Sequence, residues 1–308
     1  MSDNKIIDLY KKGLSRKLIA KNLGISEWKV RCAIRQQHTK VIKAKEFKTN
    51  EDIRLSKVSI SKSPELKKAI IFSDIHVPYH DQAALSVALA YAKDYAPDMI
   101  VLNGDIIDFY GASSYRQDPI RIDTLQDELT EGKALLKKIR AEHPNAEIYY
   151  IEGNHETRLK RFLLDKAPAL SCLTCLSFDE LVGLKEFDIK FIDYGQSIQL
   201  GDLEVTHGEI VRKGAGMSAK AHADKSGASV LIGHTHRVGV ICRTNKWGTH
   251  VAIENGHLGR NDFEYVNNPD WQHGFTQVEY FDDGRFFTRS HIINNGSLVV
   301  DGVLYETS

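Results

Sequence analysis

Ala69-Ile70-Ile71-Phe72-Ser73-Asp74-Ile75-His76 passes from an unbroken apolar, β-prone run into an aspartate and a histidine one residue apart. Short apolar runs of this kind read as strands buried on both faces of a covered sheet. The pattern recurs downstream. Met99 to Asn103 leads into Gly104-Asp105-Ile106-Ile107-Asp108, and Ile148 to Glu152 into Gly153-Asn154-His155-Glu156. Leu203 to Thr206 leads into His207-Gly208, and Val230 to Ile232 into Gly233-His234-Thr235-His236. Helical stretches at Gln82 to Tyr95 and Asp123 to His143 lie between the early strands, which predicts an α/β fold. The end of the chain changes character. Thr276 to Phe281, Asp282-Asp283-Gly284, Arg285 to Ile292 and then Asn295-Gly296 predict consecutive hairpins, so the sheet layer has parallel and antiparallel parts.

In α/β sheets the loops at the carboxyl ends of strands converge on one edge, where ligands bind. All five polar blocks fall at such ends. Together they offer Asp74, His76, Asp105, Asn154, His207, His234 and His236. Four imidazoles, two carboxylates and one amide oxygen form a borderline-hard donor set suited to Mn, Fe, Zn, Ni or Co. Magnesium and calcium prefer all-oxygen shells and fit less well. A lone Asp-x-His or His-x-His says little. Five blocks in order describe a site for two metal ions, a device for attacking phosphate esters.

With 308 residues the chain has room for one large catalytic domain and a small accessory one. It is 42% hydrophobic and has no apolar stretch near the roughly 20 residues of a membrane span. The opening Met-Ser-Asp-Asn-Lys lacks the apolar core of a secretory signal, so the expected location is the cytoplasm. Four cysteines suit a reducing compartment rather than a disulfide framework. Net charge is zero, yet residues 1–62 hold 16 Lys or Arg against 6 Asp or Glu, a net of +10. Since the whole chain has 41 of each, residues 63–308 carry −10. A basic segment beside a helical pattern is the electrostatic footprint of nucleic-acid binding, although a solvated lysine-rich face has the same composition.

That basic end divides into three short helical patterns. Ile6, Ile7, Leu9 and Tyr10 form one apolar face, Leu18, Ile19 and Leu23 a second, and Val30, Ala33 and Ile34 a third. Ser15 and Ser26 are placed to cap the second and third helices, and Gly24 lies at the turn between them. Arg16 to Arg35 resembles the helix-turn-helix DNA-binding family: Ala20 is the small residue, Gly24 the turn, and Ile19, Leu23, Ile25, Val30 and Ala33 occupy the buried positions. The resemblance implies DNA as a partner, with a recognition helix from Ser26 offering Glu27, Trp28, Lys29, Arg31 and Arg35. Trp28 has a second reading, packing against the first helix. The expected layout is a helix-turn-helix domain at 1–37, a basic linker at 38–67 and a catalytic domain at 68–308. Val58 to Ile60 is a possible short strand of the latter.

From about Lys68 to Arg260 the chain resembles the calcineurin-like metallophosphoesterase superfamily, with each signature block present. The resemblance implies a mixed β-sandwich flanked by helices, and two divalent metal ions, with Mn²⁺ favoured. It implies that Asp74, His76, Asp105 and His236 hold the first metal. For the second it implies Asp105, Asn154, His207 and His234, with Asp105 bridging and a metal-bridging hydroxide attacking phosphorus in line. His155 corresponds to the family histidine that protonates the leaving oxygen. Asp108 is expected to orient a ligand or His155. Arg158 either clamps phosphate or pairs with Glu156. Tyr79 and His80 either line the cleft or belong to a surface loop. Asn255-Gly256-His257 matches a family Asn-Gly segment, but a serine commonly stands where His257 does. Cys172 and Cys175 have the spacing of a redox or zinc pair; without a second pair they read as core cysteines. Arg212, Lys213, Lys220 and Lys225 either line a path for a polyanion or form a solvated helix face.

The expectation is a two-metal phosphoesterase, and within that class a phosphodiesterase or nuclease directed at DNA. One alternative is a phosphomonoesterase or protein Ser/Thr phosphatase with a recruitment domain. Gly-Asn-His-Glu favours it, but Phe109 stands where those phosphatases carry an arginine. A second alternative is a DNA-binding regulator with a scaffold phosphoesterase domain, against which the intact ligand blocks argue.

Overall fold

The computed structural model describes residues 3–39, 58, 63, 65–114, 123–246, 248–262 and 268–307. They belong to two compact units, Met1–Lys62 and Ser63–Ser308. Most of the 38–67 segment expected to be a linker, and two of the three residues of the possible strand at 58–60, lie outside the described residues.

The first unit contains α1 (Asp3–Lys11), α2 (Arg16–Leu23) and α3 (Glu27–Thr39) around one small core. Ile6, Ile7, Ile19, Ala20, Val30, Ala33 and Ile34 fill it, with Leu9, Tyr10, Leu23 and Ile25 at its margin. The Ser15 hydroxyl accepts the Leu18 N–H at the start of α2, and Gly24 ends α2 in the left-handed region at φ 63°. Leu18 corrects the expected apolar face, being 46% exposed. One residue along a helix is a turn of about 100°, and Ile19, Ala20 and Leu23 already take the inner face.

The second unit is built on two mixed sheets. Its strands are β1 (Lys67–Phe72), β2 (Met99–Asn103), β3 (Glu147–Ile151), β4 (Ile189–Ile192), β5 (Ile198–Leu200), β6 (Leu203–Thr206), β7 (Ser229–Ile232), β8 (Val238–Asn245), β9 (Gly248–Asn255), β10 (Gly274–Tyr280), β11 (Phe286–Ile292), β12 (Ser297–Val300) and β13 (Val303–Glu306). Helices α4 (Gln82–Tyr95), α5 (Leu125–Glu142), α6 (Thr157–Lys166), α7 (Phe178–Val182) and α8 (Met217–Ser226) complete it. One sheet has the order β11-β10-β1-β2-β3-β4, the other β5-β6-β7-β9-β8, and β12 and β13 form a separate hairpin. Strands β1 to β4 run parallel, as do β6, β7 and β9, while β10, β11, β5 and β8 are antiparallel to their neighbours.

Alternation along each strand divides the core into layers. Ala69 and Ile71 of β1 and Val101 of β2 join Val205, Leu231 and Ile253 of the second sheet in one cluster, which lies between the sheets. Ile70, Phe72, Ile100 and Leu102 point the other way, toward Leu85, Leu89, Leu136 and Ile139 of α4 and α5. Val230, Ile232 and Ala252 pack on Ala219 of α8. Among the described residues, no helix is long and apolar enough to cross a membrane.

Candidate metal centre

The parallel direction of β1, β2 and β3 delivers Asp74, His76, Asp105, Asn154 and His155 to one edge. β6 and β7 deliver His207, His234 and His236 to the same place. Backbone hydrogen bonds join the loops: Asp74 N–H donates to the Gly104 carbonyl at 3.0 Å, and His76 N–H to the Asp105 carbonyl at 3.0 Å. Asp74 then accepts the His234 N–H through both carboxylate oxygens, at 3.0 and 2.9 Å.

Two buried clusters result. In the first, Asp74, His76 and His236 meet, with His76 Nε2 3.1 Å from His236 Nε2 and His236 Nε2 3.3 Å from Asp74 Oδ1. In the second, Asp105, His207 and His234 meet, with His207 Nε2 3.3 Å from Asp105 Oδ2 and 3.1 Å from Asn154 Oδ1. A third grouping of His76, Asp105 and His155 overlaps both. His76 is shared by the first and third groups and Asp105 by the second and third, so the third grouping links the two clusters.

The residues fit a pair of divalent cations. Nitrogen and carboxylate donors face each other at distances that a shared cation would reconcile. The glycines between them leave no room for anything else. A Cβ at Gly104 would lie 2.4 Å from His207 Nδ1, at Gly153 2.3 Å from Asp105 Oδ1, and at Gly233 2.6 Å from Asp74 Oδ2. Asp74, His76, Asp105, His234 and His236 all have φ between 52° and 66°. Side-chain-bearing residues pay a steric cost there, and clusters of such strain mark functional sites.

Charge in the site has the matching sign. Burial alone would raise the Asp105 carboxyl, but the facing His155 and His207 hold it well below the usual carboxylate range. Burial would likewise lower His207, yet Asp105 raises it to about 10. The negative field that favours a proton there also favours a metal cation. Burial and the neighbouring His207 push His234 down to about 4, leaving it the neutral imidazole that binds metal.

His155 sits beside the clusters. Its Nδ1 lies 2.8 Å from Asp108 Oδ1 and 3.0 Å from the Asp108 carbonyl, and its Nε2 is 3.7 Å from Asp105 Oδ2. The same Asp108 oxygen is 3.0 Å from His76 Nδ1, so one carboxylate orients both rings. Arg158 donates to the Asp108 carbonyl at 2.9 Å and approaches His155 Nε2 at 2.8 Å. It does not pair with Glu156. That carboxylate instead accepts N–H groups of Asp105, Ile106, Ile107 and Gly153 and the Tyr150 hydroxyl.

Calcineurin-like phosphoesterases match this chain over residues 67–238. The chain belongs to the calcineurin-like phosphoesterases. This phosphoesterase is also similar to the Gene 54 protein of Mycobacterium phage L5, 26% identical over 261 residues that span 78% of this chain and 99% of the relative. Among solved structures it is similar to a single mutant of Vps29 from Entamoeba histolytica, with a TM-score of 0.41, 14% identity and coverage of 75% of this chain and 96% of that one. A dimetal phosphatase from Danio rerio gives a TM-score of 0.38 and 12% identity, covering 73% and 95%.

His257 stacks on His236, ring centroids 4.9 Å apart and planes 7° from parallel, and Trp271 meets His236 edge-on at 4.4 Å. Asn255 donates to the Ile71 carbonyl and to Ser73 Oγ, joining the two sheets beneath the site. Tyr79 is buried against Tyr110, whereas His80 lines a groove between α4 and α5. Lys220 pairs with Asp224 and Lys225 with Glu209, which favours the solvated-face reading for those two. Cys172 and Cys175 are exposed, not core. They lie in a stretch of short 3₁₀ turns, Pro168–Leu170 and Thr174–Leu176, that has no buried residue. Of the candidate nucleic-acid contacts, Trp28 is 42% exposed, Lys29 is exposed and Arg31 half-buried; the side chain of Arg35 lies outside the described residues. Sequence reasoning missed Glu156 as the organiser of the Asp105 loop. It also missed Arg237, whose buried guanidinium meets Glu254 at 3.2 Å directly after His236.

Proposed function

We propose that this protein is a two-metal phosphodiesterase directed at DNA, with Asp74, His76, Asp105 and His236 holding one cation and Asp105, Asn154, His207 and His234 the other. The observation that carries the reaction is the convergence of seven donors into two clusters, linked through a third grouping of His76, Asp105 and His155. When bound, divalent cations would polarise the phosphoryl oxygens and activate water.

The side chains then have separate tasks. Arg158 presents its guanidinium beside His155 Nε2, where a phosphate oxygen is the stronger acceptor. Substrate binding would draw Arg158 to the phosphate and free that nitrogen. His155 Nε2 then carries the proton that the leaving oxygen takes, while Asp108 holds Nδ1–H in place. Burial opposes protonation of His155, but Asp105 and Asp108 outweigh it and raise its pKa.

The DNA direction rests on the basic three-helix unit, with its capped α2, left-handed Gly24 turn and exposed Trp28 and Lys29 on α3. Manganese is favoured by the nitrogen-rich donor set. Mn²⁺-loaded protein should cleave bis(p-nitrophenyl) phosphate, and His155→Ala and Asp105→Ala should each lose roughly 100-fold or more in kcat. Full activity in either variant would sink the assignment. A panel of single- and double-stranded DNA, RNA, mononucleotides, cyclic nucleotides and phosphopeptides then ranks the substrates, with DNA expected first.

A further inference from the structure

A cavity of about 300 Å³ borders His207 of the second cluster. It is bounded by Tyr194, by Thr206 at the end of β6, by the His207–Glu209 turn and by His222 and Lys225 of α8. His207 belongs both to the cavity lining and to the second cluster, where its Nε2 faces Asp105 and Asn154.

The walls are held in place. His222 Nε2 accepts the N–H groups of Glu209 at 3.2 Å and Ile210 at 3.1 Å, which fixes the turn after His207 and leaves the imidazole proton on Nδ1. Tyr194 N–H donates to Glu152 Oε2 at 3.0 Å, and the Arg161 guanidinium stands 6.0 Å from the Tyr194 ring. The phenol ring is thus a half-buried flat wall on a tethered backbone.

The chemistry of the lining selects its guest. Glu204 and Glu209 contribute two carboxylates, and the Lys225 ammonium is taken by Glu209 at 3.1 Å. Glu204, which pairs with no cation of the lining, can accept N–H groups from the edge of a heterocycle. An aromatic wall supplies the stacking surface that a base uses irrespective of its identity. The volume lies at the lower end for small-molecule pockets, enough for one flat ring system and its sugar.

We propose that this cavity seats the nucleoside attached to the scissile phosphate. The proposal rests on the phosphodiesterase reading above. It is tested by equilibrium binding to the full-length Mn²⁺-loaded protein, using adenosine 5′-monophosphate and, as a base-free control, D-ribose 5-phosphate. AMP should bind roughly tenfold more tightly than ribose 5-phosphate. Tyr194→Ala should remove most of that preference while leaving ribose 5-phosphate affinity unchanged, and Tyr194→Phe should keep it. Equal affinity of the two probes for the unaltered protein, or an equal loss for both in Tyr194→Ala, overturns the nucleoside pocket. Hydrolysis of bis(p-nitrophenyl) phosphate involves no base. Its absence alongside an intact AMP preference would overturn the reaction and leave the pocket supported.

Discussion

Both oxygens of Glu156 are occupied. Oε1 accepts from Ile106, Ile107 and the Tyr150 hydroxyl at 2.8, 3.2 and 2.7 Å, and Oε2 from Asp105 and Gly153, each at 2.9 Å. A single buried carboxylate therefore binds the loop after β2 to the loop after β3, and so places Asp105 and His155. Glu156→Gln keeps the volume but turns an NH₂ group toward at least one set of N–H donors. Leaving those groups unpaired in the interior should cost about 2–4 kcal/mol, measured by urea denaturation, with a parallel fall in Mn²⁺ affinity. Unchanged stability would mean that the loop holds itself. The residues that cluster as candidate metal donors were legible in the sequence because each stands at the end of an apolar run, in order. The partners of Glu156 and Arg158 were not, because they depend on which side of a turn each side chain leaves the backbone. Neighbours in sequence, these two serve different walls.

Elements with strong local signals formed where the sequence placed them. α4 spans Gln82–Tyr95 as read, with the Asp81 carboxylate accepting the Ala84 N–H at its start. α5 begins one residue after Thr124, whose capping box with Asp127 sets the boundary inside the expected Asp123 to His143. α6 had no such signal, because the residue before it, Glu156, spends its carboxylate on the loops and gives the helix no side-chain cap. The β8–β9 hairpin was also missed: β8 is a sheet edge with Val240 exposed and no clean alternation. α5 carries a further group with consequences for the whole fold. Glu128 is buried and accepts the N–H groups of Tyr110 at 3.0 Å and Gly111 at 3.2 Å. Burial raises its pKa from 4.5 to about 7, against the opposing effect of those hydrogen bonds. Between these values the folded state keeps a proton that the unfolded chain releases. The contribution is therefore fully present below pH 4.5 and is lost as pH rises through about 7, by up to roughly 3 kcal/mol. Glu128→Gln does not titrate. The stability difference between Glu128→Gln and the parent, from urea titrations at pH 5 and pH 7.5, should shift in favour of the variant at the higher pH. A pH-independent difference would show that Glu128 ionises as freely when folded as when unfolded.

At the scale of the molecule, charge is segregated: +10 in residues 1–62 and −10 in residues 63–308. A phosphoesterase domain with that net charge repels a polyanion at long range, so any grip on DNA should come from the basic unit. Residues 1–37 hold 9 Lys or Arg against 3 Asp or Glu. If about four or five of these cations neutralise phosphates, the logarithm of affinity should fall with the logarithm of salt at a slope of roughly −4. Deleting residues 1–37 should flatten that slope toward zero and weaken DNA binding at low salt, while hydrolysis of bis(p-nitrophenyl) phosphate, which needs no docking, continues at the parent rate. Fluorescence anisotropy with a labelled duplex across 50 to 200 mM NaCl gives the slope for both proteins. An unchanged slope after the deletion would assign the three-helix unit to docking on another protein, because counterion release is the one contribution that a basic DNA-binding surface cannot avoid making.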